Sequence, residues 1–416
     1  MDHPQELWPT IVHDDVCRLR VAIVHDWLTV YGGAERVLEH MLAVIPQADL
    51  YTLVDFVPAE QRAFLGGRRP KTSFIQRLPG ARRHYRNYLP LMPLAVEQFD
   101  LSGYDLIISS SYAVAKGVIT GPDQLHLSYV HSPVRFAWDL QHQYLRQAGL
   151  TRGLASWMVR ALLHRLRLWD SRTANGVDHF IANSEFIARR IWKVYRRSAE
   201  VIYPPVDLSG FDFLATKGTG YVTVSRLVPY KRVELLMAAF ALMPGRRLTV
   251  IGDGPDLERL RRAAPPNVEL TGFLPGTEVA RRLERARAFL FAAEEDFGIV
   301  MVEAQACGTP VIAYGKGGAC EVVRELDQPA PTGVLFATQT VEAVVDAVER
   351  FEAAAGRFDP VTCRRNAERF GHARFCSELT RAIAVQLTER NRLPEIAGRR
   401  DDLPPRLQGV LASMVR

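Results

Sequence analysis

Several short runs in this chain are apolar at consecutive positions, and each leads into a segment whose apolar residues recur at helical spacing. VAIV, starting at Val21, precedes AERVLEHMLAVI, and the scheme continues through ADLYTLV, YDLIISS and LHLSYVH. A long helical stretch from about Leu154 to Asn175 then leads to DHFIANS. A strand apolar at every position is covered on both faces, which restricts it to a parallel sheet between layers of helices. A second pass opens with GYVTVSR and runs through RVELLMAAFALM, RRLTVIGDG, VELTGF, AFLFAAE, PVIAYG and GVLFAT. Alternating strands and helices build parallel sheets with right-handed crossovers. The pattern therefore predicts an α/β chain of two Rossmann-like, doubly wound domains facing a cleft. They join near YPPVDLSG, where paired prolines and Gly210 interrupt both periodicities. The boundaries read as an extension over 1–20, an N-terminal domain over 21–205, a C-terminal domain over 206–389 and a tail over 390–416. The 416 residues are enough for two domains of ordinary size.

Composition removes several classes of function. No apolar run approaches the roughly 20 residues that span a bilayer. The first residues carry acids and a proline where a secretory signal would have a basic start and an apolar core, so a cytoplasmic location is expected. The five cysteines form no CxxC pair, which argues against a disulfide framework or a structural zinc site and makes them small core residues. A net charge of +6 suits an anionic partner without saying which. From Gln61 to Pro90 there are eight Lys/Arg residues and no acid, interleaved with Phe74, Ile75, Leu78, Tyr85 and Tyr88.

In doubly wound sheets, ligands bind outside the carboxyl ends of the strands. That rule selects Gly32 and Gly33, His131, Arg226, Gly252 to Gly254 and Glu295, all at strand ends. In SRLVPYKR, Arg226 leaves a strand and Lys231 follows beside a helix start, where an anion is favoured. Two cations there suit a diphosphate, and two solvated cations on a loop are the alternative. Gly32 and Gly33 allow close backbone approach or form a plain turn; the spacing is not GxGxxG. His131 either donates a hydrogen bond to a substrate oxygen or is structural. EEDFGIVMVEAQACG is the sharpest motif: Glu295 lies in a turn, and Glu303 lies in the helix that Gly298 opens. Amides of Phe297, Gly298 and Ile299 are left free beside them. Carboxylates facing hydroxyls make strong charge-assisted hydrogen bonds, and sugars supply hydroxyls. There is no DxD and no HExxH, so no metal site is expected and charge neutralisation falls to Arg226 and Lys231.

The spacing of Glu295 and Glu303, with SRLVPYK, VIGDGPDLERL, LTGFLP and GTPVIAYGKGGACEVV, resembles the retaining glycosyltransferases of family 4, which have the GT-B fold. The resemblance runs from about Val21 to Leu387. TSFIQRLP and HSPVRFAWD are similar to bacterial enzymes of exopolysaccharide, O-antigen and lipopolysaccharide synthesis, several of which use GDP-mannose. The likeness implies that Arg226 and Lys231 hold the donor diphosphate. Glu295 would grip the donor sugar with Phe297, Gly298 and Ile299, and Glu303 the ribose. Gly272 and Phe273 would line the base, His131 would lie near the reacting face, and Gly32 and Gly33 would border the diphosphate. No cofactor or metal beyond a nucleotide sugar is implied. The implied acceptor is a glycan or a polyprenol-diphosphate sugar, with the basic 61–90 stretch or the tail against an anionic inner membrane. Two other functions fit parts of the chain. A nucleotide-sugar epimerase shares the architecture but needs acid and base groups on both faces of one carbon. A nucleic-acid binder would leave Glu295 and Glu303 opposing the phosphates, so no nucleic-acid partner is expected.

Overall fold

A computed structural model of the protein describes residues 19–396. Residues 1–18, with Cys17 and most of the N-terminal extension, and 397–416, which form most of the tail, lie outside the described residues. The chain divides into two compact units. One takes the chain up to Asn183, Ile187–Ile202 and the chain from Phe375. The other takes Ser184–Phe186 and Tyr203–Arg374.

The first unit is built on seven parallel strands: β1 (Val21–His25), β2 (Asp49–Thr52), β3 (Lys71–Thr72), β4 (Leu106–Ser111), β5 (Leu125–Val130), β6 (His179–Ala182) and β7 (Glu200–Val201). Their order is β3-β2-β1-β4-β5-β6-β7, so the winding reverses between β1 and β4. Every residue of β1, β4 and β5 is buried, as consecutive apolar runs require. The period of two sends Val21, Ile23, Leu106 and Ile108 into one core layer and Ala22, Val24 and Ile107 into the other. Helix α1 (Gly33–Val44) lays Val37, Leu38 and Met41 on the first layer. Helix α2 (Gly153–Thr173) buries Leu163 and Leu166.

The second unit holds β8 (Tyr221–Val224), β9 (Leu248–Ile251), β10 (Val268–Gly272), β11 (Ala288–Phe291), β12 (Val311–Tyr314) and β13 (Gly333–Phe336), all parallel. The order β10-β9-β8-β11-β12-β13 reverses between β8 and β11. Leu290 and Ile312 face one layer, while Phe289, Phe291 and Val311 face the other. Helices α3 (Val233–Ala241) and α4 (Ile299–Ala306) follow β8 and β11. The last helix, α5 (His372–Ile396), joins the first unit from Phe375: Phe375, Leu379, Ile383 and Leu387 fill the core beside β1 and β5.

The basic 61–90 stretch, which includes β3, is ordered into short elements. It forms short 3-10 turns, with Ser73 capping one of them and Ile75 and Tyr85 buried. Cys307 and Cys363 are buried as expected, whereas Cys320 is exposed. No helix among the described residues is long and apolar enough to cross a membrane.

Candidate active site

At the switch point of the second sheet, the chain leaves β8 through Ser225 and Arg226. Leu227 N–H donates to Asp253 O at 2.9 Å, Asp256 N–H donates to Leu227 O at 3.2 Å, and Gly252 N–H donates to Gly272 O at 2.9 Å. These bonds lock the ends of β8, β9 and β10 together. The lock needs glycine, because a Cβ on Gly252 would sit 1.8 Å from Ser225 O. Arg226 is exposed, and its guanidinium has no partner among the described residues. Lys231 ends a 3-10 turn, Pro229–Lys231, and Arg232, at φ 56°, opens α3. The Lys231 ammonium pairs with the Glu295 carboxylate and lies 5.2 Å from the Tyr230 ring centre and 5.3 Å from that of Phe291.

Glu295 follows β11, the neighbour of β8 at this switch point. Its turn is held from behind by the loop after β12: Gly318 N–H donates to Glu295 O at 2.8 Å, and Glu295 bridges Gly317. Gly317, at φ +77°, cannot carry a Cβ, which would stand 2.2 Å from Glu295 O. Gly298, at φ 93°, opens α4. Among the described residues the amides of Phe297, Gly298 and Ile299 have no hydrogen-bond acceptor, so they present a short row of donors. Glu303 sits inside α4 and is only 6% exposed. Gly272 ends β10 at φ +77°, and Phe273 after it is 76% exposed, an open apolar face two strands from the switch point.

The first unit's switch point carries a second polar cluster. Asp26, just beyond β1, is fully buried, and its carboxylate accepts four backbone N–H bonds. Tyr112 and Ala113 donate to one oxygen at 2.6 and 2.8 Å, Val114 and Ala115 to the other at 2.6 and 2.7 Å. Burial pushes this carboxyl above its ordinary range, and the amides pull it back. Beside it, Ser110 Oγ stands 3.0 Å from His25 Nδ1 and 2.8 Å from His131 Nε2. Burial, with the neighbouring His25, lowers His131 to about 3, so its imidazole is neutral. Gly32 has an extended backbone and caps α1 at its N-terminus. Its N–H donates to Glu35 Oε2 at 3.0 Å, and Gly33 is the first helical residue.

Sequence reasoning found the residues at strand ends but missed their supports. His25 and Asp26 close the VAIVHD run, and a polar pair at the end of an all-apolar strand was the signal available. Ser225, whose buried hydroxyl has no partner among the described residues, sits at the matching place after β8. Among the described residues no group of three or more His, Cys, Asp and Glu side chains comes together as a metal cage.

Known proteins resemble the chain in sequence and in fold. The family description "Glycosyltransferase Family 4" matches residues 31–209, and "Glycosyl transferases group 1" matches 213–369. The chain is 36% identical over 186 residues to sulfoquinovosyl transferase SQD2 of Arabidopsis thaliana, covering 44% of this chain and 32% of that protein. It is 26% identical over 328 residues to a GDP-mannose-dependent alpha-(1-6)-phosphatidylinositol monomannoside mannosyltransferase of Mycobacterium tuberculosis, covering 66% of this chain and 82% of that one. The chain thus spans about a third of the first relative's length. Among solved structures, Anabaena HepE in complex with UDP and glucose superposes with a TM-score of 0.63 at 17% identity, covering 88% of this chain and 99% of that one, which shows a common fold. With both domain families matched in order along two parallel-sheet units, the chain belongs to the glycosyltransferases that pair a family 4 domain with a group 1 domain.

Proposed function

We propose that the protein is a retaining, metal-independent glycosyltransferase that moves mannose from GDP-mannose to a polyprenol-diphosphate-linked saccharide in surface polysaccharide synthesis. The observation that carries this reading is the Lys231–Glu295 pair at a switch point that also presents Arg226, unpartnered among the described residues. A nucleoside diphosphate leaving an anomeric carbon takes negative charge with it while positive charge develops on the sugar ring. Arg226 and Lys231 stabilise the departing phosphates, and preorganised charge of this kind is usually the largest catalytic contribution. Glu295 and the amides of Phe297, Gly298 and Ile299 bind the sugar hydroxyls. Glu303 holds the ribose, while Gly272 and Phe273 line the base. In the first unit, His131, Gly32 and Gly33 are the residues assigned to substrate contact. The bond from the anomeric carbon to phosphate breaks and the bond to the acceptor oxygen forms on the same face. The acceptor proton passes to the departing phosphate oxygen, which gives retention.

The donor assignment draws on the mycobacterial relative, whose name specifies GDP-mannose; the UDP complex of the Anabaena neighbour makes UDP-sugars the competing donors. The acceptor is proposed to be reached by peripheral contact with anionic lipid. Arg77, Arg82, Arg83 and Arg86 are exposed beside Phe74, Leu91 and Leu94. Helix α2 exposes Leu154, Trp157 and Met158, and its single acid, Asp170, is buried. Leu89 packs on the same cluster as Val159 and Trp169 of α2, so the two surfaces are neighbours within the first unit. Radiolabelled GDP-mannose and UDP-glucose, each offered with a polyprenol-diphosphate disaccharide, test the reading. Label should enter the lipid fraction from GDP-mannose, with an α-configured product by NMR. Release of free sugar or an epimer, with no labelled lipid from either donor, removes it.

A further inference from the structure

Three buried groups and the half-buried His131 form a polar chain in the first unit. Glu35 Oε1 lies 3.5 Å from His25 Nε2, His25 Nδ1 lies 3.0 Å from Ser110 Oγ, and Ser110 Oγ lies 2.8 Å from His131 Nε2. His25 and Ser110 have no exposed surface, and Glu35 has 5%. The adjacent Asp26 does not compete, because four backbone amides occupy its two oxygens. The rings of Tyr112 and Tyr129 hold His131 edge-on, with centroids 5.9 and 5.2 Å away.

We propose that Glu35 sets the direction of the hydrogen bonds along this chain and so holds His131 in the tautomer whose Nδ1 is a hydrogen-bond acceptor. A serine hydroxyl has one proton, so Ser110 can donate to only one of its two imidazoles. At 3.5 Å the contact between His25 Nε2 and Glu35 is too long for an ordinary hydrogen bond. It is close enough, however, that a nitrogen lone pair facing the carboxylate is repelled and an N–H is attracted. His25 therefore carries its proton on Nε2, and its Nδ1 accepts from Ser110. The Ser110 oxygen must then accept, and the group left to donate to it is His131 Nε2–H. The His131 Nδ1 keeps its lone pair. This reverses the donor role expected from sequence: resting on the glycosyltransferase reading, His131 accepts a hydrogen bond from a substrate hydroxyl. Glu35 is a positioning residue that acts through two intermediaries.

Replacing Glu35 by glutamine makes a sharp test, because Gly32 N–H fixes which way the amide points. It needs an acceptor where Glu35 Oε2 now stands, so the glutamine oxygen takes that place and its NH2 faces His25 Nε2. Donor against donor moves the His25 proton to Nδ1, Ser110 then donates to His131 Nε2, and His131 becomes the Nδ1–H form. Long-range proton–nitrogen NMR spectra of the full chain, recorded without substrate and assigned with His25→Gln and His131→Gln, read this directly. The wild type should show both histidines protonated on Nε2, and Glu35→Gln should show both on Nδ1. A wild-type His131 protonated on Nδ1, or a Glu35→Gln spectrum with unchanged tautomers, overturns the proposal. Ser110→Ala provides a second variant: with the link cut, adding Glu35→Gln should leave His131 unchanged, and a further change sinks the relay. In transfer assays Glu35→Gln should lower kcat at least about tenfold, the loss expected when one hydrogen bond to the substrate is replaced by a donor facing a donor, with donor KM changed less than about twofold. The spectra need no turnover, so failure of the glycosyltransferase reading and failure of the relay are distinguished.

Discussion

Lys231 and Glu295 are 64 positions apart in the chain, yet their side chains form an ion pair, with 14% and 20% of their surfaces exposed. One comes from the turn after β8 and the other from the turn after β11, the two strands at which the second sheet reverses its winding. The pairing follows from topology: parallel strands that are neighbours in space bring together loops that are distant in sequence, and both loops leave by the carboxyl edge.

Removing either partner should therefore damage turnover far more than folding. Lys231→Ala and Glu295→Ala should each lower kcat by at least about 100-fold, the loss typical of removing one group that stabilises transition-state charge. Unfolding free energy should fall by no more than about 1–3 kcal/mol, the cost of one lost charged hydrogen bond. Transfer of labelled sugar and urea denaturation measure the two effects separately. Wild-type turnover in either folded variant removes that residue from the mechanism.

The position of Glu295 depends on a glycine that sequence reading passed over. Gly317 lies at φ +77°, with the Glu295 carbonyl where a methyl group would go. Gly317→Ala should cost about 1–3 kcal/mol in urea unfolding, the range for a residue forced into sparsely allowed backbone space. It should also reduce transfer, because Glu295 must shift. Gly276→Ala is the control: it meets open space at a helix start and should change stability by no more than about 0.5 kcal/mol. Equal losses in the two variants would show that the clash is relieved without cost.

How far the sequence could be read follows from what periodicity encodes. Runs such as VAIV and AFLF are buried on both faces, so their parallel pairing was legible, and with it the strand ends where polar residues gather. Tertiary partners were not. Nothing local to Asp26 announces that it accepts amides from Tyr112 to Ala115, 86 to 89 positions away. Lys116 reads as a surface lysine, yet it is 2% exposed and paired at 2.8 Å with the buried Asp170 on α2. Helical spacing likewise cannot say which apolar stripe is covered. On α2, Leu163 and Leu166 are buried while Leu154, Trp157 and Met158 face outward.

Two histidines, the buried His126 and the half-buried His131, give the fold a defined response to acid. Desolvation lowers His126 to about 4, and desolvation with His25 lowers His131 to about 3, against about 6.5 for an exposed imidazole. Because both folded values are depressed, the unfolded chain binds more protons between these limits. Their contribution to stability is therefore complete above about pH 6.5 and is lost as pH falls toward 4 and 3. The melting temperature should hold between pH 8 and 7 and drop steadily from pH 6.5 to 5. His126, whose ring bonds Ser109 Oγ at 2.9 Å and Gly176 O at 3.1 Å, should account for part of the slope, so His126→Asn should be less stable at pH 7.5 and less sensitive to acid. A melting temperature that rises between pH 6.5 and 5 contradicts the assignment.

The outward stripe of α2 and the arginine-rich turns before it should act differently on a membrane. Arg77, Arg82, Arg83 and Arg86 are exposed in a stretch without acids, and each basic residue near an anionic surface contributes about 1 kcal/mol, screened by salt. Reversing Arg82 and Arg83 to glutamate should weaken sedimentation with vesicles containing phosphatidylglycerol by at least about tenfold, leave binding to neutral phosphatidylcholine unchanged, and lose its effect in high salt. On the proposed membrane contact, the exposed Trp157 and Met158 would act by insertion instead, so Trp157→Ser should weaken binding to both vesicle types with little salt dependence. Wild-type protein that sediments equally with neutral and anionic vesicles at low salt would show that the arginines do not face lipid. Trp157→Ser that binds as the wild type would leave the α2 stripe without a role at the membrane.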